Sequence, residues 1–145
     1  MKIVDNIYVL FFQVELIQSR GFHTQIHKVT TSDGYILSIF RIINPNIDPS
    51  INKTPKKTPV LIQPGIFTDS TFFLIASLDG KLLPNNMFIE DHGNIITNCD
   101  PSDGQTTGIS IAFVLATCGY DVWIGNARGN GVGGNQHLYL SELGN

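Results

Sequence analysis

Two short apolar runs constrain this chain more than anything else in it. Residues 60–63 (Val-Leu-Ile-Gln) are led by Pro59 and closed by Pro64-Gly65, and residues 120–124 (Tyr-Asp-Val-Trp-Ile) are led by Gly119 and closed by Gly125. Runs this short between Pro and Gly punctuation read as strands buried on both faces, the kind found in parallel sheets flanked by helices. Between them, residues 111–117 form a short apolar helix, with Ser110 as its N-cap and Gly119 as its terminator. Strand, helix, strand is a βαβ unit, so the two strands are expected to lie parallel. In open α/β sheets ligands gather beyond the carboxyl ends of the strands, where backbone N–H groups are free to bind negative charge. Gly65 and Ile66, the first residues of that kind, are therefore the candidate anion-binding corner.

A hairpin precedes this unit. Residues 26–31 are rich in β-formers, Ser32-Asp33-Gly34 supplies a turn, and residues 35–43 make a longer strand. Residues 14–19 continue a helical pattern that Gly21 ends. Residues 44–58 carry three prolines and three lysines and read as a surface loop. Residues 79–107 hold Asn, Asp, Gly, Pro and Thr with scattered hydrophobes, which favours an unordered insertion over a lid. The fold class is thus α/β, an antiparallel hairpin followed by a parallel βαβ unit, in one domain.

Composition excludes several classes. With 145 residues, 42% of them hydrophobic and 14% charged, the chain can bury a core and lies outside the disordered regime. A net charge of −3 and one basic cluster at 53–57, interleaved with Thr and Pro, give no footprint for nucleic acid. Cys99 and Cys118 are too few for a disulfide framework and lack metal spacing, so they read as a loop thiol and a small buried helix residue. Asn52-Lys53-Thr54 is a glycosylation sequon that matters if the chain is secreted. At the N-terminus, the apolar residues 7–12 fit either an amphipathic helix or a degenerate signal segment over 1–20, because Asp5 precedes them and no small-residue cleavage site follows. No stretch reaches the roughly 18 uninterrupted apolar residues of a membrane span.

Several signals look like sites and are better read as structure. Gly129-Asn130-Gly131-Val132-Gly133-Gly134 fits the G-x-G-x-x-G pattern, but no acidic residue follows at the distance a dinucleotide needs. His23, His27, His92 and His137 have no second ligand at metal spacing, and His92 beside Glu90 and Asp91 reads as a solvated loop tip. Residues 98–104 resemble a calcium loop only loosely, since the glycine falls one place late and no Glu closes it. No cofactor or metal is expected.

Two further stretches are specific. Gly21-Phe22 followed by His27-Lys28-Val29-Thr30-Thr31-Ser32-Asp33-Gly34-Tyr35-Ile36-Leu37 resembles the G-Y-P…V-x-T-x-D-G-Y-I-L opening of the acid lipases, the lysosomal and gastric lipase group of α/β-hydrolases. Residues 119–130 are similar to that family's G-Y-D-V-W-x-G-N-x-R-G-N almost letter for letter, through Asp121, Trp123, Asn126 and Arg128. The resemblance runs from about residue 14 and is interrupted at 79–107, so residues 21–145 are expected to form the N-terminal, incomplete part of an α/β-hydrolase sheet. It implies hydrolysis of triacylglycerols or steryl esters by a serine with His and Asp partners, in a secreted or lysosomal setting. The nucleophile elbow G-x-S-x-G does not occur here. Gly108-Ile109-Ser110-Ile111-Ala112 comes nearest, but it follows a loop, which leaves Ser110 as a helix cap. The family's oxyanion loop H-G-L matches Pro64-Gly65-Ile66, with proline in place of histidine and the Ile66 N–H as the surviving donor. Arg128 is expected to make a structural ion pair or bond a loop carbonyl. An enzyme fragment inactive alone is one reading. A non-catalytic lipid-binding or interaction module is the other, with peripheral lipid contact and self-association through the sheet edge at 60–63 as its partners.

Overall fold

The apolar residues 7–12 and the helical pattern at 14–19 become one helix, α1 (Ile3–Ser19), in the computed structural model, which describes residues 3–47, 58–65, 67–77, 79–96, 109–130 and 136–137. Gly21 ends the helix in a left-handed conformation, φ +88°, which glycine adopts without a Cβ clash. Its N–H donates to the Gln18 carbonyl at 2.9 Å, and the Phe22 N–H reaches back to Ile17 at 3.3 Å. This double closure puts Ile17 and Phe22 together in the core. Strand β1 (His23–Thr30) then turns through Gly34, φ +92°, into β2 (Tyr35–Ile43), with register running from His23 opposite Ile43 to Thr30 opposite Ile36.

The parallel unit forms as the sequence predicts. Strand β3 (Pro59–Ile62) lies parallel to β7 (Asp121–Ile124), Val60 beside Val122 and Ile62 beside Ile124. Helix α2 (Ile111–Thr117) lies between them in the chain and buries Ala112, Phe113 and Ala116. Strand β7 also pairs antiparallel with β2, giving the order β1-β2-β7-β3, while β8 (Gln136–His137) pairs with the start of β2. Phe40, Ile42, Val122 and Ile124 line the face turned to the helices.

One expectation about β3 is corrected. Its place at the edge of the sheet is the expected one, but Leu61 is 64% exposed, so among the described residues β3 is covered on one face only. An apolar run signals that both faces suit a core; it does not supply the element that covers the second face.

The unordered-insertion reading of 79–107 is also corrected where the chain is described. Strands β4 (Lys81–Leu82), β5 (Phe88–Ile89) and β6 (Ile95–Ile96) form a three-stranded antiparallel meander. It is anchored at several points. The Leu82 N–H donates to the Arg20 carbonyl at 2.8 Å, and the Arg20 Nε donates to the Ser77 carbonyl at 3.2 Å. The Asn44 amide nitrogen donates to Asn86 Oδ1 at 2.7 Å, and Asn86 Nδ2 to the Thr117 carbonyl at 3.1 Å. Phe88 enters the core against the stacked pair Phe22 and Phe113, ring centroids 5.8 and 5.6 Å away.

The cysteine expectation fails as well. Cys118, the C-cap of α2, is disulfide-bonded, and no cysteine among the described residues is free. Sequence spacing carries no information on whether two Cβ atoms come within bridging distance. Denatured but unreduced protein is therefore expected to show no thiol toward a chromogenic disulfide reagent, and two per chain after reduction.

Candidate active-site corner

The chain leaves β3 through Pro64, which is buried, and Gly65, which is exposed. Thr68 closes a turn on this corner. Its N–H and its Oγ1 both donate to the Gly65 carbonyl, at 3.3 and 2.9 Å. Phe67, inside that turn, has φ +65° and a side chain 99% exposed. Asp69 then accepts the Thr71 N–H at 2.8 Å and caps a 3-10 turn over Ser70–Phe73. Ile66, the candidate oxyanion donor, lies outside the described residues.

A buried polar network pins this loop to the sheet. The Ser70 N–H donates to Asn126 Oδ1 at 3.1 Å, and Asn126 Nδ2 donates to the Ser38 carbonyl at 3.2 Å. Ser70 Oγ donates to Gln13 Oε1 at 2.8 Å, and Gln13 Nε2 to Thr71 Oγ1 at 2.8 Å. Gln13 and Ser70 are fully buried and Asn126 is 2% exposed. The bonds from Ser38 through Asn126 and Ser70 to Gln13 are thus made away from water, where leaving one unmade is expensive, and the Gln13–Thr71 bond is half-buried. Gln13 and Ser70 carry no motif. The one signal for Gln13 is that it interrupts an apolar helical run, which reads as a defect until its partner is seen.

Asp121 and Trp123 of the G-Y-D-V-W motif serve the face of the sheet opposite Val122 and Ile124. Asp121 accepts a fork from Arg41, Nε to Oδ1 at 2.7 Å and Nη2 to Oδ2 at 3.1 Å. The Arg41 guanidinium lies 5.1 Å from the Trp123 ring centroid, and the His27 ring 4.8 Å from it. Arg128 Nη1 donates to Asp33 Oδ2 at 2.6 Å and its guanidinium stacks over Tyr35 at 5.0 Å. That contact ties the end of β7 to the hairpin turn, so the two specific sequence motifs meet in space.

Glu90 and Ser110 require correction together. Ser110 occupies the N-cap position of α2, but its side chain makes no cap bond and its Oγ is buried without a hydrogen-bond partner. The Glu90 carboxylate takes that place, Oε1 accepting the Ser110 N–H at 2.8 Å and Oε2 the Ile109 N–H at 2.9 Å. Glu90 is 2% exposed, so it is no solvated tip. Asp91 Oδ1 accepts from Ser77 Oγ at 2.8 Å and the Asp79 N–H at 2.7 Å. Among the described residues no three His, Cys, Asp or Glu side chains converge to hold a metal. Asn52, Cys99, residues 98–104 and residues 131–134 lie outside the described residues.

Known proteins match the chain across this framework. A family profile described as "Partial alpha/beta-hydrolase lipase region" matches residues 13–77, from Gln13 through the corner to Ser77. Gastric triacylglycerol lipase of Bos taurus is 32% identical over 97% of this chain and 27% of its own length. Lipase member K of Mus musculus is 38% identical over 88% of this chain and 24% of its own length. Lipase member M of Mus musculus is 32% identical over 80% of this chain and 20% of its own. The chain therefore spans about a quarter of the length of the curated relatives it matches. With the hairpin, the parallel unit and both motifs in place, the chain belongs to the acid lipase family of α/β-hydrolases.

Proposed function

We propose that this chain supplies the oxyanion corner and the first strands of a serine ester hydrolase acting on lipid esters, triacylglycerols or steryl esters, and that it is inactive alone. The observation that carries the reading is the pinned corner. Gly65 follows a parallel strand, its carbonyl is turned into the loop by Thr68, and Asn126 fastens that loop to the sheet. Turning the carbonyl inward is what a peptide unit must do if the next N–H is to face a ligand. A single such donor stabilises a developing oxyanion by a few kcal/mol, and only where a nucleophile creates the charge. The matching relatives, one of them a triacylglycerol lipase by name, support the lipid-ester substrate. The disulfide at Cys118 fits an oxidising, secretory or lysosomal setting.

The isolated chain is expected to release no fatty acid from triacylglycerol or steryl-ester emulsions above the buffer blank. The same residues in frame with a downstream segment carrying the elbow, acid and histidine are expected to release it. Turnover by the isolated chain would overturn the proposed inactivity. A second reading, a non-catalytic interaction module, is favoured by one feature. Strand β3 bonds β7 through Thr58 and Ile62 carbonyls, which turns the backbone groups of Leu61 to the outer edge, open to a second chain.

A further inference from the structure

We infer that Gln13 of α1 is a positioning residue for the Gly65 corner, so that the N-terminal helix belongs to the ester site proposed above. The inference rests on that reading and names a residue that sets the site from a distance. Gln13 bonds Ser70 and Thr71, and it acts through them.

Gln13, Ile17 and Arg20 fall at i, i+4 and i+7, the spacing of one helix face, and all three are buried. Ile17 is apolar, as that face requires, and Gln13 is not. A buried, bonded amide gains little stability over apolar groups of the same shape, so direction is what it adds. Gln13 Oε1 accepts from Ser70 Oγ and Nε2 donates to Thr71 Oγ1, each at 2.8 Å. Arg20 donates to the Ser77 carbonyl at the far end of the same segment. The segment after β3 is therefore laid along the inner face of α1.

The sheet alone does not orient that segment. Asn126 holds it by one bond, to the Ser70 N–H, and one bond is a pivot. Two more, to successive side chains, stop the rotation. The setting is passed back toward the corner through the turn. Asp69 accepts the Thr71 N–H, and Thr68 donates twice to the Gly65 carbonyl. Phe67 makes the corner depend on this hold. Its φ of +65° is a left-handed conformation that a bulky residue keeps only where the surrounding structure enforces it. With Ser70 and Thr71 released, Phe67 is expected to relax and to carry the Gly65 carbonyl with it. An oxyanion donor acts in the transition state, so its misplacement lowers kcat and leaves KM near its value.

The test takes Gln13→Met, which keeps the size and removes the amide, and the double variant Gln13→Met with Ser70→Ala, which strands no buried serine hydroxyl. Gln18→Met, on the exposed side of α1, is the control and is expected to match wild type throughout. In this chain, amide hydrogen exchange at Ser70 is expected to quicken about tenfold in Gln13→Met and in the double variant, while amides of β2 and β7 keep their wild-type rates. In the complete frame, carrying the downstream elbow, acid and histidine, both variants are expected to lower kcat for a water-soluble short-chain ester about tenfold with KM unchanged. The urea midpoint of the double variant is expected to stay near wild type, which separates positioning from stability. Exchange at Ser70 that matches wild type would overturn the inference, as would a double variant whose kcat returns to the wild-type value or a loss confined to KM. If the wild-type frame hydrolyses nothing, the ester reading falls and the assignment of Gln13 falls with it. If it hydrolyses and both variants keep their kcat, only the assignment falls.

Discussion

Replacing Phe88 by Ala is expected to destabilise the fold by about 3–5 kcal/mol, the range for emptying a fully buried phenylalanine site. Phe88 has no exposed surface. Its ring lies 5.8 Å from Phe22 and 5.6 Å from Phe113, which themselves stack at 5.1 Å. Phe22 fixes the exit of α1 and Phe113 the inner face of α2, so the cavity would open where the helices meet the meander. Natural domains have about 5–15 kcal/mol in all, so such a loss is a large share of an ordinary margin. Trp123 is the only tryptophan and sits in β7, so its fluorescence during urea unfolding reports the main sheet. The midpoint should fall sharply in Phe88→Ala and stay near wild type in the exposed control Phe72→Ala, where about 0.5 kcal/mol or less is expected. An unchanged midpoint in Phe88→Ala would mean that the meander is peripheral to the core.

That result bears on what could be read before the structure. Strand β2 was legible in full because seven of the nine residues between Asp33-Gly34 and Asn44-Pro45 are aromatic, leucine or β-branched isoleucine. The parallel pair was legible because Pro and Gly bracket two short apolar runs. The meander was not, because each of its strands is two residues long. A period of two needs about four residues to register. Phe88 therefore looked like a stray hydrophobe in a polar loop, and only tertiary packing makes it core.

The candidate corner divides in the same way. Gly65 and Asn126 stand out because punctuation and a specific motif mark them. Gln13 and Ser70 were invisible because a buried amide and hydroxyl are ordinary polar letters until they are found bonded to each other. The motif residues also separate by role once placed. Asn126 holds the corner, whereas Asp121 and Arg128 pair with Arg41 and Asp33 and join β7 to the hairpin. Both pairs are partly open to water, so each contributes at most about 1 kcal/mol. Their use is in fixing register between segments far apart in sequence.

Glu90 is the other position where a large effect is expected. Both carboxylate oxygens accept backbone N–H bonds at the entrance to α2, and hydrogen bonds to a charged acceptor contribute about 1.5–3 kcal/mol each. Glu90→Ala strands the buried Ser110 N–H, and the expected loss is about 3 kcal/mol. Glu90→Gln keeps one acceptor oxygen but turns an NH2 group toward the second N–H, so it should lose about 2 kcal/mol. Ser110→Ala separates this account from an ordinary side-chain cap. If the serine hydroxyl capped the helix, its removal would cost about 1 kcal/mol. Because Ser110 Oγ is buried with no hydrogen-bond partner, its loss is expected to be neutral or slightly stabilising. Urea midpoints for the three variants should therefore fall in the order Glu90→Ala lowest, Glu90→Gln next and Ser110→Ala at or above wild type. A destabilised Ser110→Ala beside a near-native Glu90→Gln would reverse the assignment and return the cap to the serine.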